Sequence, residues 1–156
     1  FTCYQFINTG ISGSCLDDLI NEKENRIFKY NPSYFVFYYG DNDMYKYDAN
    51  TYIKKFKRLM KELKIRRPNT IVLLISIKPS PLRKEKFNQY TMINKYMDKF
   101  HEINPSCYYI DIWTTMSNNT TYFKDDELHL SNKGYTFINQ LIYNKIKVLE
   151  SLKSTN

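Results

Sequence analysis

Tyr34-Phe35-Val36-Phe37-Tyr38-Tyr39-Gly40-Asp41-Asn42-Asp43 is the stretch that decides the fold. Its first six residues are all apolar or aromatic, which favours a strand covered on both faces, as in a parallel sheet between helices. The run ends at Gly40, and polar residues follow at the carboxyl end of the strand. Ligand sites of parallel sheets lie at this edge, because loops and helix N-termini converge there. The stretch therefore predicts an α/β fold with a candidate site at residues 40–43.

The rest of the chain alternates short apolar runs with longer amphipathic segments, the pattern of βαβ units. The predicted order is β-α-β-α-β-α-β-loop-α. The predicted strands are 4–8, 34–39, 70–77 and 107–112, and the predicted helices are 15–28, 49–64, 84–103 and one that starts near Ser131. We expect a three-layer α/β/α sandwich around a parallel, flavodoxin-like sheet.

Length and composition are those of one globular domain. The chain has 156 residues, of which 42% are hydrophobic and 17% aromatic. No apolar stretch approaches the roughly 20 residues that cross a bilayer, so no integral membrane segment is predicted. Cys3, Cys15 and Cys107 are odd in number and lack C-x-x-C spacing, which indicates free, mostly buried thiols. Localisation and oligomeric state do not follow from these residues.

The net charge of +7 raises the alternative of a nucleic-acid-binding domain. Eight of the Lys and Arg residues lie between Lys54 and Arg67. Apolar residues run through the same segment at helical spacing: Ile53, Phe56, Leu59, Met60 and Leu63. The pattern is typical of an amphipathic helix with a solvated basic face, so we expect no nucleic-acid partner.

Asn42 is the sharpest candidate for a catalytic role. Its side-chain amide can donate a hydrogen bond to a developing oxyanion without bringing a competing charge. The alternative is a residue that only closes a strand-to-helix turn, since Gly, Asp and Asn all favour turns. This motif alone does not separate the two.

Glycines at 10 and 13 flank a tight loop before the first predicted helix. Without a side chain, the backbone N–H of such a glycine can face a ligand at a helix start. Gly13 is therefore the candidate for a second oxyanion donor, and a purely structural turn is the alternative. The loop lacks the Gly-Lys-Ser/Thr ending of a phosphate-binding loop.

Asp126-Glu127-Leu128-His129 places an acid and an imidazole three residues apart. On a tight turn both side chains lie on one side, so the carboxylate can orient the imidazole as a general base. The alternative is a charged loop end before a helix, where acids are favoured electrostatically. The other histidine, His101, is expected on the polar side of a helix.

A magnesium site is a further alternative, because four acids follow predicted strands: Asp41, Asp43, Asp125 and Asp126. It leaves Asn42 and His129 without a function, and no phosphate-binding loop accompanies it. We therefore predict neither a metal nor an organic cofactor.

Together these motifs resemble the SGNH, or GDSL-type, hydrolases, a superfamily of serine esterases and acylhydrolases. Asn8-Thr9-Gly10-Ile11-Ser12-Gly13 is similar to the family's second block, which implies that Gly13 supplies an oxyanion-hole N–H. Gly40-Asp41-Asn42-Asp43 is similar to the third block, Gly-x-Asn-Asp, which implies an oxyanion-hole side chain at Asn42.

Residues 126–135 are similar to the fifth block, which implies that His129 is the base and that Asp126 orients it. Two further stretches, 75–83 and 111–114, are similar to uncharacterised bacterial branches of the superfamily. The resemblance covers most of the chain with its blocks in the family's order, and it implies the SGNH hydrolase fold.

The family's first block, Gly-Asp-Ser, carries the nucleophile and has no counterpart in these residues. The nucleophilic serine is therefore expected upstream of Phe1, and residues 1–156 are expected to form a single domain that lacks its N-terminal part and first strand. Ser12 and Ser14 are the alternatives within the chain, although no Gly-x-Ser-x-Gly elbow contains them.

The expected reaction is hydrolysis of a carboxylic ester through an acyl-enzyme, on a small-molecule lipid or sugar ester. The alternative is a non-catalytic α/β module that binds carbohydrate or an acyl chain in the same cleft.

Overall fold

The computed structural model describes residues 4–154 and contains a parallel three-stranded sheet. Its strands are β1 (Tyr34–Phe37), β2 (Ile71–Ile75) and β3 (Cys107–Ile110), with β2 in the middle. The three strands are in register at Phe35, Val72 and Cys107. Each strand is shorter than predicted at its carboxyl end, so the polar residues that follow it belong to loops.

Five α-helices connect and cover the strands within the described part of the chain. They are α1 (Leu16–Asn21), α2 (Ala49–Arg66), α3 (Phe87–Ile103), α4 (Trp113–Met116) and α5 (Asn132–Lys153). The helix predicted over 15–28 is divided into α1 and a π-helical turn, Glu24–Phe28. Three short 3-10 turns lie at Asp43–Tyr45, Pro81–Lys86 and Thr120–Tyr122.

The side chains of β2 show how the layers are arranged. Val72 and Leu74 pack into one buried cluster with α1, α2 and α3, whereas Leu73 and Ile75 pack into a second cluster with α5. Alternate residues of a strand face opposite sides of a sheet, so helices cover both faces. The predicted three-layer α/β/α sandwich is confirmed.

The strand predicted over residues 4–8 is wrong, because the structure assigns no regular element there. Tyr4 touches Tyr34 of β1 edge to face, with ring centroids 6.3 Å apart, but the segment forms no ladder. Phe6 and Ile7 are exposed. A strand needs the backbone groups of a neighbour as well as apolar residues, and β1 pairs only with β2 among the described residues.

Helices α2 and α5 both begin after a residue whose side chain caps the helix N-terminus. Asp48 caps α2 by accepting a hydrogen bond from Thr51 N at 2.7 Å. Ser131 caps α5 by accepting one from Gly134 N at 3.2 Å, as predicted. Ile146 and Leu149 of α5 are buried, whereas Tyr135 is exposed and lines a cleft described below.

The basic residues of α2 lie on its outer side. Two of them form ion pairs with acids of the preceding segment, Lys55 with Asp17 and Arg66 with Glu24, both at 2.6 Å. Cys15 and Cys107 are free and buried as expected, and Cys3 lies outside the described residues. Within residues 4–154, no helix combines the length and the apolarity that crossing a membrane requires.

Candidate active site

The loop after β1 turns sharply at Gly40, whose φ is +127°. A Cβ at this position would lie 2.5 Å from Cδ1 of Ile77, so a larger residue would be both strained and crowded. Asp41 and Asp43, on either side of Asn42, are buried. The turn therefore brings Asn42 to the carboxyl edge of the sheet between two buried acids.

The amide of Asn42 has a protein partner at each end. Its Nδ2 donates to the carbonyl O of Ser14 at 3.1 Å, and its Oδ1 accepts from Arg83 Nη2 at 2.9 Å. Ser14 directly follows Gly13, which is exposed, has a φ of +74° and has open space where a Cβ would lie. The structure thus brings the two predicted oxyanion donors, Gly13 and Asn42, to one place.

Asp43 ties the start of α1 to the loop after β1. Its Oδ1 accepts a hydrogen bond from Leu16 N at 2.7 Å and another from the hydroxyl of Tyr47. Burial raises the pKa of the Asp43 carboxyl, and the hydrogen bond from Tyr47 opposes that shift. Because Leu16 is near Gly13 in sequence, this contact fixes the Gly13 loop relative to Asn42.

A buried arginine also contacts the loop of Gly13. Arg26 donates from Nε to the carbonyl O of Thr9 at 3.0 Å and from Nη2 to the hydroxyl of Tyr39 at 2.5 Å. The hydroxyl of Tyr39 also accepts from Ser14 Oγ at 3.3 Å. The loop is therefore ordered by contacts from residues distant in sequence.

Asp126 and His129 form a tightly bonded pair. Asp126 Oδ2 lies 2.6 Å from His129 Nδ1, while Asp126 Oδ1 accepts the backbone N–H groups of Leu128 and His129, both at 2.9 Å. The hydrogen bond from the imidazole, with those from the two backbone N–H groups, holds the pKa of Asp126 well below its usual range. An ionised carboxylate only accepts, so the hydrogen bond places a proton on Nδ1, and in the neutral imidazole Nε2 is then the acceptor.

The loop that carries this pair is closed by its own backbone. Lys124 N donates to the carbonyl O of His129 at 2.8 Å, and Glu127 N donates to the carbonyl O of Lys124 at 2.9 Å. Glu127 has a φ of +56°, a left-handed conformation that non-glycine residues rarely adopt. Such conformations cluster at functional sites, where the surrounding bonds hold them.

The loop after β2 connects two parts of the site. We call the loops of Gly13 and Asn42 the oxyanion half, and the loop of Asp126 and His129 the base half. Ser80 Oγ donates to the carbonyl O of Leu128 at 3.2 Å, and Leu82 N donates to the carbonyl O of Glu127 at 3.2 Å. Arg83, next in the chain, binds Asn42. The predicted convergence of loops at one sheet edge is therefore present as a continuous set of hydrogen bonds.

An ion-pair cluster lies beneath these loops, and sequence reasoning missed it. Asp41 pairs with Lys78 Nζ and, at 3.4 Å, with Arg83 Nη1; the three side chains are 10%, 10% and 14% exposed. Tyr90 donates its hydroxyl to the carbonyl O of Asp41 at 2.8 Å. The sequence contains one indication of this cluster: Asp41 and Lys78 are charged residues that lie just beyond apolar strands.

A cleft of about 300 Å³ opens beside His129. Its wall is largely apolar, and it includes the side chains of Tyr38 and Lys78. The remaining lining residues are Ile75, Leu130, Tyr135, Ile138 and Asn139. Concave, mostly apolar spaces with a few polar groups are typical of small-molecule sites, so His129 stands where a ligand can reach it.

Two alternatives find no support in the described residues. In residues 4–154 there is no group of three or more His, Cys, Asp and Glu side chains placed to hold a metal ion. Among the same residues no serine hydroxyl is hydrogen bonded to His129 Nε2, and Ser14 Oγ is engaged with Tyr39. Ser12 is exposed on the Gly13 loop.

The sequence profile of a family described as GDSL-like lipase/acylhydrolase matches residues 2–142. The chain belongs to this family. It is thereby assigned to a group of enzymes that cleave ester bonds, in agreement with the motifs at Asn42 and His129. Among curated protein sequences, no significant match was found.

Solved structures share the fold of this GDSL-like acylhydrolase. A family 3 carbohydrate esterase from Clostridium thermocellum has 22% identity and a TM-score of 0.73, with 90% of this chain and 69% of that chain covered. A GDSL-like lipase from Bacteroides thetaiotaomicron has 19% identity and a TM-score of 0.76, with 90% and 74% covered. A family 3 carbohydrate esterase from Talaromyces cellulolyticus has 19% identity and a TM-score of 0.75, with 88% and 69% covered.

Proposed function

We propose that this protein hydrolyses carboxylic esters through an acyl-enzyme, with His129 as general base and with Gly13 and Asn42 as oxyanion donors. The observation that carries the proposal is the hydrogen-bonded connection between the two halves of the site. Arg83 binds Asn42, while its neighbours bind the loop of His129. An isolated Asp-His pair or an isolated Gly-Asn loop would not define acyl transfer, but the two at one sheet edge supply its general base and its oxyanion donors.

The base half supplies proton transfer. Asp126 keeps the proton of His129 on Nδ1, so Nε2 accepts the proton of an attacking hydroxyl. The same nitrogen then returns that proton to the oxygen of the leaving alcohol. In the second half-reaction His129 activates a water molecule, whose attack on the acyl carbonyl releases the carboxylic acid and restores the free hydroxyl.

The oxyanion half supplies electrostatic stabilisation. As the hydroxyl oxygen bonds to the ester carbon, the carbonyl oxygen becomes negative and needs donors that are already in place. Asn42 Nδ2 carries two hydrogens, of which one is directed to Ser14 O. The other hydrogen and the N–H of Gly13 serve as the two donors in our proposal.

The nucleophile in this proposal is the serine of a Gly-Asp-Ser block that precedes residue 1 in the intact protein. By "intact protein" we mean residues 1–156 together with any sequence that adjoins them. The order of the family's blocks supports this placement, and so does the lack of a described serine bonded to His129. The steps above use only amino-acid side chains, the backbone N–H of Gly13 and water, so they call for no cofactor.

The proposed substrate class is a small-molecule lipid or sugar ester. The largely apolar cleft beside His129 suits an acyl group or the carbon face of a sugar ring. The similarity to carbohydrate esterases and to a GDSL-like lipase is compatible with both kinds of ester.

The test is pre-steady-state kinetics of the intact protein with 4-nitrophenyl acetate. An acyl-enzyme predicts a burst of 4-nitrophenol equal to the concentration of active sites, followed by a slower steady rate. The burst should vanish in His129→Ala and persist in His101→Ala, the matched change at the other histidine. A folded protein that binds sugar or acyl ligands without turnover would instead indicate the non-catalytic module.

A further inference from the structure

Arg83 is the residue of the site to which neither the family motifs nor the proposed chemistry gives a function. It lies in the 3-10 turn Pro81–Lys86 that follows β2, and its side chain is 14% exposed. In sequence, the stretch that contains it shows only a similarity to uncharacterised bacterial branches of the superfamily. Its side chain contacts the loop of Asn42 at three residues: Asp41, Asn42 and Tyr45.

Two contacts orient the Asn42 amide: the hydrogen bond that Arg83 donates to Oδ1 and the one that Nδ2 donates to Ser14 O. A guanidinium group has donors and no acceptor, so the atom of Asn42 that faces it must be the oxygen. Arg83 Nη2 lies 2.9 Å from Oδ1, which directs Nδ2 toward Ser14 and the Gly13 loop. With the amide reversed, an N–H would face a cation and an oxygen would face the developing oxyanion.

Arg83 is itself held in a fixed position. Its Nη1 lies 3.4 Å from Asp41 Oδ2, and its guanidinium carbon lies 5.2 Å from the ring centroid of Tyr45. Asp41 also pairs with Lys78, so two cations share one buried carboxylate. A positive charge that is already ordered beside an amide needs no rearrangement when negative charge develops in the transition state.

We propose that Arg83 is a positioning residue for ester hydrolysis, which fixes the donor orientation of Asn42 and strengthens its N–H through a charge-assisted bond to Oδ1. The inference rests on the proposed function, because it assigns Asn42 to the oxyanion. It concerns transition-state stabilisation, so removal of Arg83 should lower kcat and leave KM nearly unchanged.

The experiment is a double-mutant cycle of Arg83→Met and Asn42→Ala in the intact protein, with 4-nitrophenyl acetate as substrate. Alone, Arg83→Met should lower kcat by about 10- to 100-fold, the range for a hydrogen bond to a charged group. In the Asn42→Ala background it should have less than about a 3-fold effect, because the amide it orients is gone. Lys86→Met is the matched control, since Lys86 also packs on Tyr45, at 4.7 Å, without a contact to Asn42.

An equal fold-loss in both backgrounds would overturn the inference, because Arg83 would then support the fold independently of Asn42. An unchanged kcat in Arg83→Met would overturn it as well. In either case the wild-type protein remains an active esterase and the proposed function stands. An inactive wild-type protein, in contrast, would defeat the proposed function and this inference with it.

A spectroscopic measurement covers the case in which Arg83→Met does not fold. In ¹⁵N-labelled protein the side-chain NH₂ signals of Asn42 are identified by their loss in Asn42→Ala. Arg83→Lys keeps the charge but loses the planar fork of donors. It should shift these signals, whereas Lys86→Met should leave them in place; unshifted signals in Arg83→Lys would contradict the assigned bond.

Discussion

The two halves of the candidate site are constructed differently. The oxyanion half depends on residues distant in sequence: Asn42 is bonded to Ser14 and Arg83, and Asp41 is buried in an ion-pair cluster. The base half depends on neighbours: the carboxylate of Asp126 binds His129 and two backbone N–H groups within three residues. Its side chains are 57% exposed for His129 and 47% for Asp126.

Because of this difference, we expect changes in the two halves to have different effects on turnover and on stability. A change in the base half removes a chemical group from solvent-exposed positions, so the fold should tolerate it while turnover is lost. A change in the oxyanion half disturbs a buried network, so it should affect both turnover and the free energy of unfolding.

The largest expected effect is the loss of the base in His129→Ala. Without a group to take the proton of the nucleophile, kcat should fall by about 10⁴-fold or more. Thermal unfolding should stay close to wild type, because the side chain is largely exposed. Steady-state kinetics and calorimetry of the intact protein measure both; a large loss of stability would break the proposed separation, and His101→Ala is the control.

The next effect is expected in Asn42→Ala, where kcat should fall by about 10²- to 10³-fold with a small change in KM. Here the unfolding temperature should also fall, because Ser14 O and Arg83 both lose their partner. If kcat stayed unchanged and kcat/KM fell only because KM rose, Asn42 would bind the substrate rather than the transition state.

Paired Asp→Asn changes compare the halves directly. Asp41→Asn leaves Lys78 and Arg83 buried without a counter-charge, so it should lower the free energy of unfolding by about 3 kcal/mol. Asp126→Asn should lower the free energy of unfolding by less than Asp41→Asn does, because its side chain is largely exposed. It should also lower kcat, because the amide no longer specifies the imidazole tautomer. Equal stability losses in the two variants would contradict the comparison.

The smallest effect concerns the acid titration of Asp126, which NMR of its carboxyl carbon can follow. Its pKa in the folded protein lies below the usual 3.8, so the ionised form stabilises the fold above that pH. This contribution is lost as the pH falls below 3.8 through the folded value. His129→Ala should raise the pKa toward 3.8, and His101→Ala should not change it; a wild-type pKa at or above 3.8 would contradict the hydrogen-bonded pair.

The base half was predictable from sequence because its geometry is local, but the spacing alone did not determine it. Asp98 and His101 have the same Asp-x-x-His spacing on α3, yet their nearest atoms are 3.5 Å apart and involve Nε2. In Asp126 and His129 a closed loop with a left-handed Glu127 adds the backbone bonds that hold the pair.

The rest of the site was less predictable because it depends on tertiary contacts. Hydrophobic periodicity indicated β1, β2 and β3 and the long helices α2, α3 and α5 correctly, since burial against neighbouring layers leaves a direct pattern in sequence. The contacts of Arg83 and Lys78 leave no such pattern, because their partner Asp41 lies about forty residues earlier. Residues 4–8 were misassigned for a related reason: strand pairing depends on a neighbour that local sequence does not reveal.

The most direct test of the account is labelling of the intact protein with a fluorophosphonate, followed by peptide-mapped mass spectrometry. Such reagents react with activated serines. We predict an adduct on one serine of a Gly-Asp-Ser block before residue 1, formed in His101→Ala and lost in His129→Ala. An adduct on Ser12 or Ser14 would contradict the placement of the nucleophile, and no adduct on well-folded protein would contradict the esterase itself.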